Sequence, residues 1–181
     1  MRVISGSAKG IRLATVPAGT RPVSDRAREG LFSSLGQAVE RARVLDLFAG
    51  TGAMGIEALS RGASSAVFVE SAPAAVKVIN ENLRRAKLSA RATIRRQDAL
   101  SALRQRLGPF DLVLVDPPYR HPRPALEALL SEIAGQGVVS AGGRVILTRS
   151  TRSYMPVIPL DWTAERRLAY GDAVVFVFRT P

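Results

Sequence analysis

Residues 43–55 read Arg43-Val44-Leu45-Asp46-Leu47-Phe48-Ala49-Gly50-Thr51-Gly52-Ala53-Met54-Gly55. An apolar run, Arg43–Phe48, enters a glycine-rich turn and passes into a helical stretch, Ala53–Arg61, stopped by Gly62. Strand, glycine loop and helix in that order open a nucleotide-binding α/β unit. The spacing of Gly50, Gly52 and Gly55 is G-x-G-x-x-G. That pattern alone does not choose between adenosine cofactors.

Working outward, the alternation continues. Ala66–Glu70 predicts a strand, and Pro73–Ala86 a helix begun by Pro73, with Val76, Ile79 and Leu83 on one side. Ala92–Arg95 is a weak strand, and Ala99–Leu107 a short helix ended by Gly108-Pro109. Asp111–Asp116 is a strong strand, followed by a helix over Pro124–Ala134 and a strand over Gly143–Thr148. Trp162–Ala169 and Ala173–Phe178 flank Gly171-Asp172 as a hairpin. Before the glycine loop, Ser24 or Asp25 caps a helix carrying Ala27, Leu31 and Leu35. Arg2–Ile4 and Ile11–Val16 predict a short β-hairpin, joined to that helix by the linker Pro17–Val23. The expected fold is α/β: a doubly wound, mostly parallel, Rossmann-like seven-stranded sheet with an antiparallel edge and an N-terminal β-hairpin extension. Residues 1–23 form the extension and 24–181 the main domain.

The chain of 181 residues is 46% hydrophobic and 23% charged, a balance that excludes a disordered polymer. It has no cysteine, which excludes disulfides and thiolate metal sites. No His/Asp/Glu cluster has metal-ligand spacing, so no metal is expected. The first residues lack the apolar core of a signal peptide and no run is long enough to span a membrane, so a cytoplasmic location and no membrane partner are expected. The net charge is +11, from 26 basic and 15 acidic residues, which points to a polyanionic partner. The excess is concentrated in residues 1–28, with six basic side chains against Asp25, and residues 84–106, with eight against Asp98.

Ligands of such a sheet bind beyond the carboxyl ends of the strands. There this sequence places acids: Asp46 just before the glycine loop, Glu70 after the second strand and Asp98 after the third. Glu70 can accept both ribose hydroxyls of an adenosine. Asp46 suits the ammonium of a methionine moiety and would repel a pyrophosphate, and Asp98 can accept from an adenine amino group. Together they favour S-adenosylmethionine, with Phe48, Gly50, Gly52 and Ala99 completing the cofactor set. The bland alternative makes Asp46 and Asp98 caps of the loop and helix that follow them.

Asp116-Pro117-Pro118-Tyr119 follows the fourth strand. An exocyclic amino group on a base is a poor nucleophile because its lone pair is delocalised. Accepting hydrogen bonds from both of its N–H groups moves the nitrogen towards tetrahedral geometry. The Asp116 carboxylate and the Pro117 carbonyl can do this. The prolines fix φ and donate no competing N–H, and Tyr119 can stack on a flipped base. His121, the only histidine, is open to two readings, a contact with RNA or substrate phosphate or, more commonly for a lone loop histidine, a solvated residue; Trp162 reads as packing for the terminal hairpin.

On these residues the chain resembles the RsmD family. The resemblance runs from Arg2-Val3-Ile4-Ser5-Gly6 and Lys9-Gly10-Ile11-Arg12-Leu13, through Arg21-Pro22-Val23-Ser24-Asp25-Arg26-Ala27-Arg28-Glu29 and Leu45–Ala58, to Val115–Tyr119. The glycine loop and Asp-Pro-Pro-Tyr are common among amino-methylating enzymes; the Arg21–Glu29 stretch is what points to RsmD. The resemblance implies a class I methyltransferase acting on N2 of a guanine in small-subunit (16S) ribosomal RNA. It implies that Asp46, Gly50, Gly52 and Glu70 contact S-adenosylmethionine, Asp98 its adenine, and Asp116–Tyr119 the guanine. Arg21, Ser24, Asp25 and Arg28 would lie near the mouth of the site. Lys9, Arg12, Arg21, Ser24 and Arg28 are the expected RNA contacts, with ribosomal RNA or the small ribosomal subunit as partner and a monomer as the acting species. One departure stands out: the family often has an acid after the fifth strand, where this chain has Thr148-Arg149, and residues 150–160 match poorly. The competing readings are a DNA amino-methyltransferase, for which the chain leaves little room for target recognition, a non-catalytic cofactor- or RNA-binding module, and a NAD-dependent oxidoreductase.

Overall fold

The computed structural model describes residues 1–16, 23–105, 107–118 and 120–181. Seven strands form one sheet: β1 Arg43–Leu47, β2 Ser65–Val69, β3 Ala92–Arg95, β4 Phe110–Val115, β5 Val139–Ser150, β6 Thr163–Tyr170 and β7 Ala173–Arg179. Their order is β3-β2-β1-β4-β5-β7-β6. The first five are parallel, and β7 runs antiparallel to both β5 and β6. This is the expected mostly parallel sheet with an antiparallel edge, and its topological switch lies between β1 and β4. β5 is longer than predicted because Val139 already pairs with Phe110, ahead of a register shift that leads into the main ladder.

Helices α1 Asp25–Leu35, α2 Ala53–Ser60, α3 Pro73–Arg85, α4 Ala99–Leu103 and α5 Arg123–Gly135 cover the two faces. Strand alternation decides which face each residue serves. Val44, Phe68, Leu112, Leu114 and Ile146 join α1, α2 and α3 in one apolar cluster. Leu45, Leu47, Val113, Val115 and Leu147 join α4 and α5 in the other. Gly30 on α1 meets the end of β6 so closely that a Cβ there would fall 1.8 Å from the Tyr170 hydroxyl oxygen.

The N-terminal segment pairs with itself through one antiparallel bridge, Arg2 to Arg12, supported by Val3 N–H to Ile11 O at 3.0 Å and Gly10 N–H to Val3 O at 2.9 Å. Four of its other backbone donors go to α2. The Ile4 and Ser5 N–H groups donate to Glu57 at 2.8 and 3.1 Å. Ser7 N–H donates to Ser60 O at 2.8 Å, and Ala8 N–H to Ser60 Oγ at 2.9 Å. Gly6, at φ 84°, is where the strap presses hardest on α2: a Cβ would lie 1.8 Å from the Ser60 carbonyl oxygen. Val3, Ala8 and Leu13 are buried in the same cluster as α1–α3. Farther along, the buried Asn82 accepts from Ala14 N–H at 2.7 Å and donates to Ala14 O and to Thr51 O.

Glu57 is fully buried and also receives Arg61 Nε at 2.7 Å, while Arg28 Nε lies 3.7 Å away, itself fully buried. Removing one member of a buried pair strands the other charge and costs about 3–5 kcal/mol. Glu57→Ala is therefore expected to lower unfolding free energy by that order, measured by urea denaturation. A loss below about 1 kcal/mol, the scale of an exposed ion pair, would contradict this account of the strap.

Candidate active site

The loop from β1 to α2 is built for close backbone approach. Phe48, Gly50 and Gly52 have φ of 60°, 56° and 77°; glycine adopts this left-handed backbone without strain at 50 and 52, whereas at Phe48 it is unusual for a bulky side chain. Gly52 sits at the N-cap of α2. At Gly55 a Cβ would lie 2.4 Å from the Phe68 ring and 3.0 Å from Asp46 Oδ2, so the third glycine lets α2 seat directly on the sheet.

Acids hold this loop. Asp46, 1% exposed on β1, accepts from Gly55 N–H at 2.8 Å. Glu70, just past β2, accepts from Gly50 N–H at 2.9 Å with one oxygen and from Ala72 N–H at 2.8 Å with the other. Across the switch point, Asp116 follows β4 and its N–H lies 3.5 Å from Leu47 O. Burial pushes the Asp46 carboxyl well above the usual range, the Gly55 N–H opposes it, and Asp116 and Glu70 push it further. Burial likewise raises Asp116 to about 7, against the pull of Arg149. Three carboxyl groups thus share one rim, and two of them disfavour the charge of Asp46. Such a rim suits a cation.

Pro117 is buried and Pro118 exposed, and Pro118 O accepts from His121 N–H at 2.8 Å, closing a tight turn. His121 is more than a solvated loop residue. Its ring packs edge-on against Phe48 at 5.1 Å, and burial, then Arg149, holds its pKa below the usual value, with Asp98 pulling the other way. Asp98 is exposed and caps α4, accepting from Ser101 N–H at 3.0 Å. Ala99 is the buried first residue of that helix. The capping role is therefore real, and an exposed carboxylate has further acceptor capacity beside it.

The structure thus brings Asp46, Phe48, Gly50, Gly52, Glu70, Asp116 and Pro117 to one end of the sheet, with Asp98 at the end of β3. Tyr119 and Arg21 lie outside the described residues. Lys9 and Arg12 are exposed on the N-terminal strap. Ser24 is the N-cap of α1, accepting from Ala27 N–H at 3.2 Å. Arg28 does not occupy the expected mouth of the site. It is fully buried and bonded to Asp25 at 3.0 Å and to Arg2 O, beside Glu57, so its charge is spent inside the protein. Sequence reasoning passed over Asn82, whose one signal is a polar residue between Ile79 and Leu83 on the core-facing side of α3. It noted Arg149 only as a departure from a pattern. Among the described residues no acid or histidine cluster could hold a metal, and no helix is long and apolar enough to cross a membrane.

The family model described as Conserved hypothetical protein 95 matches residues 1–179. The "Putative rRNA methyltransferase YlbH" of Bacillus subtilis is 35% identical, with 99% of this chain and 98% of that one covered. The "Ribosomal RNA small subunit methyltransferase D" of Escherichia coli is 32% identical, with 99% and 89% covered. Among solved structures, "Putative methyltransferase yhhF from Escherichia coli" superposes with a TM-score of 0.89 at 33% identity, covering 99% of this chain and 97% of that one.

The raised carboxyl of Asp116 has a stability consequence. The folded state keeps its proton up to about 7, whereas an unfolded aspartate releases it near 3.9. Between those values the folded state binds more protons, so stability falls as pH rises and the loss is complete above about 7. Asp116→Asn lacks this loss. Its melting temperature relative to the parent is expected to rise from pH 4.5 to pH 8; a constant difference would show that the carboxyl titrates normally.

Proposed function

The chain belongs to the family described as Conserved hypothetical protein 95, and on that premise we propose that it transfers a methyl group from S-adenosylmethionine to the exocyclic N2 amino group of a guanine in small-subunit ribosomal RNA. Methylation of ribosomal RNA is the activity that the Bacillus subtilis and Escherichia coli relatives are named for, and it supports the coarser part of this reading. The guanine N2 position is our finer reading, and its support is the Arg21–Glu29 stretch that resembles RsmD together with the intact Asp116-Pro117-Pro118-Tyr119. The protein acts in the cytoplasm, as a monomer.

The observation that carries the reading is the convergence of Asp46, Glu70 and Asp116 beside the glycine loop. S-adenosylmethionine, when bound, supplies a methyl group already activated on a cationic sulfur. Its ammonium and sulfonium charges answer the acidic rim, whereas the pyrophosphate of a dinucleotide would add to the repulsion. Asp46 holds the ammonium side, Glu70 the ribose hydroxyls and Asp98 the adenine amino group, with Phe48, Gly50, Gly52 and Ala99 shaping the pocket.

The remaining work falls to the residues after β4. The Asp116 carboxylate and the Pro117 carbonyl accept from the two N–H groups of the target amine and turn its lone pair outward. Tyr119 stacks on the base. The rate comes from positioning and electrostatics. As the new N–C bond forms the amine proton becomes acidic, and a carboxylate with a pKa of about 7 is a better proton acceptor than an ordinary one. Lys9 and Arg12 on the N-terminal strap contact RNA phosphates. The internal ion pairs of Arg28 remove it from that set.

Labelled-methyl transfer to unmethylated small-subunit ribosomal RNA, followed by nucleoside analysis, tests the reading; label on adenine, or none, would overturn it. Glu70→Ala is expected to weaken cofactor binding by about 1.5–3 kcal/mol, the range for hydrogen bonds to a charged group, measured by calorimetry. Asp116→Ala is expected to abolish transfer and leave cofactor affinity nearly intact. A Lys9→Ala/Arg12→Ala double variant should bind the RNA with a log–log salt slope shallower by about 0.7–0.9 per lost contact, at unchanged melting temperature. An unchanged slope would make these charges merely solvated.

A further inference from the structure

At the end of β5, Arg149 is 2% exposed, and its Nε, Nη1 and Nη2 all lack a hydrogen-bond partner. A guanidinium is always charged and has only donors, and buried charges are as a rule paired. The Tyr154 ring lies 5.1 Å from the guanidinium carbon. Among the described residues no acid stands within ion-pair distance of it. The Tyr154 hydroxyl is likewise buried without a partner.

Arg149 lines a cleft of about 340 Å³ together with Ser150, Thr151, Ser153, Tyr154 and Arg167. Arg167 is exposed and lies over the Phe176 ring at 6.0 Å, and Arg123 lies 5.6 Å from the ring of Tyr154. The polar groups of the lining are guanidiniums and hydroxyls, set beside the apolar side chains of Met155, Val174 and Phe176. A set of donors with positive charge fits an oxyanion, and the planar fork of arginine matches the tetrahedral face of a phosphate. The cleft adjoins the reacting centre, since the Arg149 charge is felt by both Asp116 and His121.

We infer that this cleft is a phosphate subsite, in which Arg149 and Arg167 hold a backbone phosphate of the RNA strand next to the target nucleotide. The inference rests on the reading of ribosomal RNA as substrate. It gives the Thr148-Arg149 departure a role: where an acid would repel the strand, this chain grips it.

The test uses the full chain and an unmethylated small-subunit ribosomal RNA transcript, with filter binding over a salt series for the parent, Arg149→Gln and Arg167→Gln. Each variant is expected to bind more weakly, with a log–log slope reduced by about 0.7–0.9, and to keep S-adenosylmethionine affinity within about twofold. Because Arg149→Gln removes an unpaired buried charge, it should melt no lower than the parent. If it fails to fold, Arg167→Gln, on the exposed side of the cleft, decides the matter. Unchanged slopes in variants of a parent that methylates the RNA would overturn the subsite and leave the proposed function standing. Loss of cofactor affinity with RNA affinity intact would overturn it in favour of the cofactor's own carboxylate. A parent that neither binds nor methylates the RNA would overturn the substrate reading first, and the subsite with it.

Discussion

Like charges held together at one end of the sheet are the constraint around which this protein is arranged. Asp46, Glu70 and Asp116 come from three neighbouring strands, and backbone amides hold the first two carboxylates. Asp46 takes the Gly55 N–H, and Glu70 takes those of Gly50 and Ala72. Those hydrogen bonds are possible only because the loop turns through left-handed backbone at Gly50 and Gly52 and because Gly55 has no Cβ to strike Phe68. Loop and acids define each other. A neutral or anionic occupant would leave the charge of Asp46 disfavoured, so the arrangement favours a positive occupant.

A second group of buried charges lies behind the site. Glu57 gathers two strap amides, Arg61 and the edge of Arg28, while Asn82 joins the strap to the carbonyl of Thr51 in the glycine loop. The N-terminal strap is thus mechanically continuous with the glycine loop through a single amide side chain. Arginine in this protein has several fates, and that of Arg149, buried with no ion pair among the described residues, is one of them. Some guanidiniums, like that of Arg28, are consumed in internal ion pairs, and others, like that of Arg12, stay on the surface.

The parallel strands were legible because β1 and β4 are central and buried on both faces, which leaves near-continuous apolar runs. The acids were legible because the chain period of a doubly wound sheet brings strand ends together. What could not be read was anything that depended on partners far apart in sequence. Ile4 finds Glu57 and Ala14 finds Asn82 at separations of 53 and 68 residues, so the hairpin expected from local pattern became a strap tied to α2. Arg28 looked like a surface charge because its neighbours are charged; Glu57, its counter-ion, belongs to another helix. Arg149 was visible as an anomaly, and only the alternation of β5 into the core made it a buried one. His121 gained a packing role from Phe48, which no local signal announces.

The seating of α1 against β6 has a consequence for how the chain is made. During synthesis Gly30 leaves the ribosome long before Tyr170 exists, and Leu31 and Phe32 share their cluster with Val175 and Val177 of β7. The first helix must therefore wait, its apolar side open to solvent, while the sheet is assembled in between. Contacts that join distant parts of a chain are slow to form, and an exposed apolar face during the wait invites aggregation. Vectorial synthesis thus leaves this protein unfinished until its terminal hairpin emerges, and a nascent chain arrested before β6 would present to chaperones a face that the completed fold conceals.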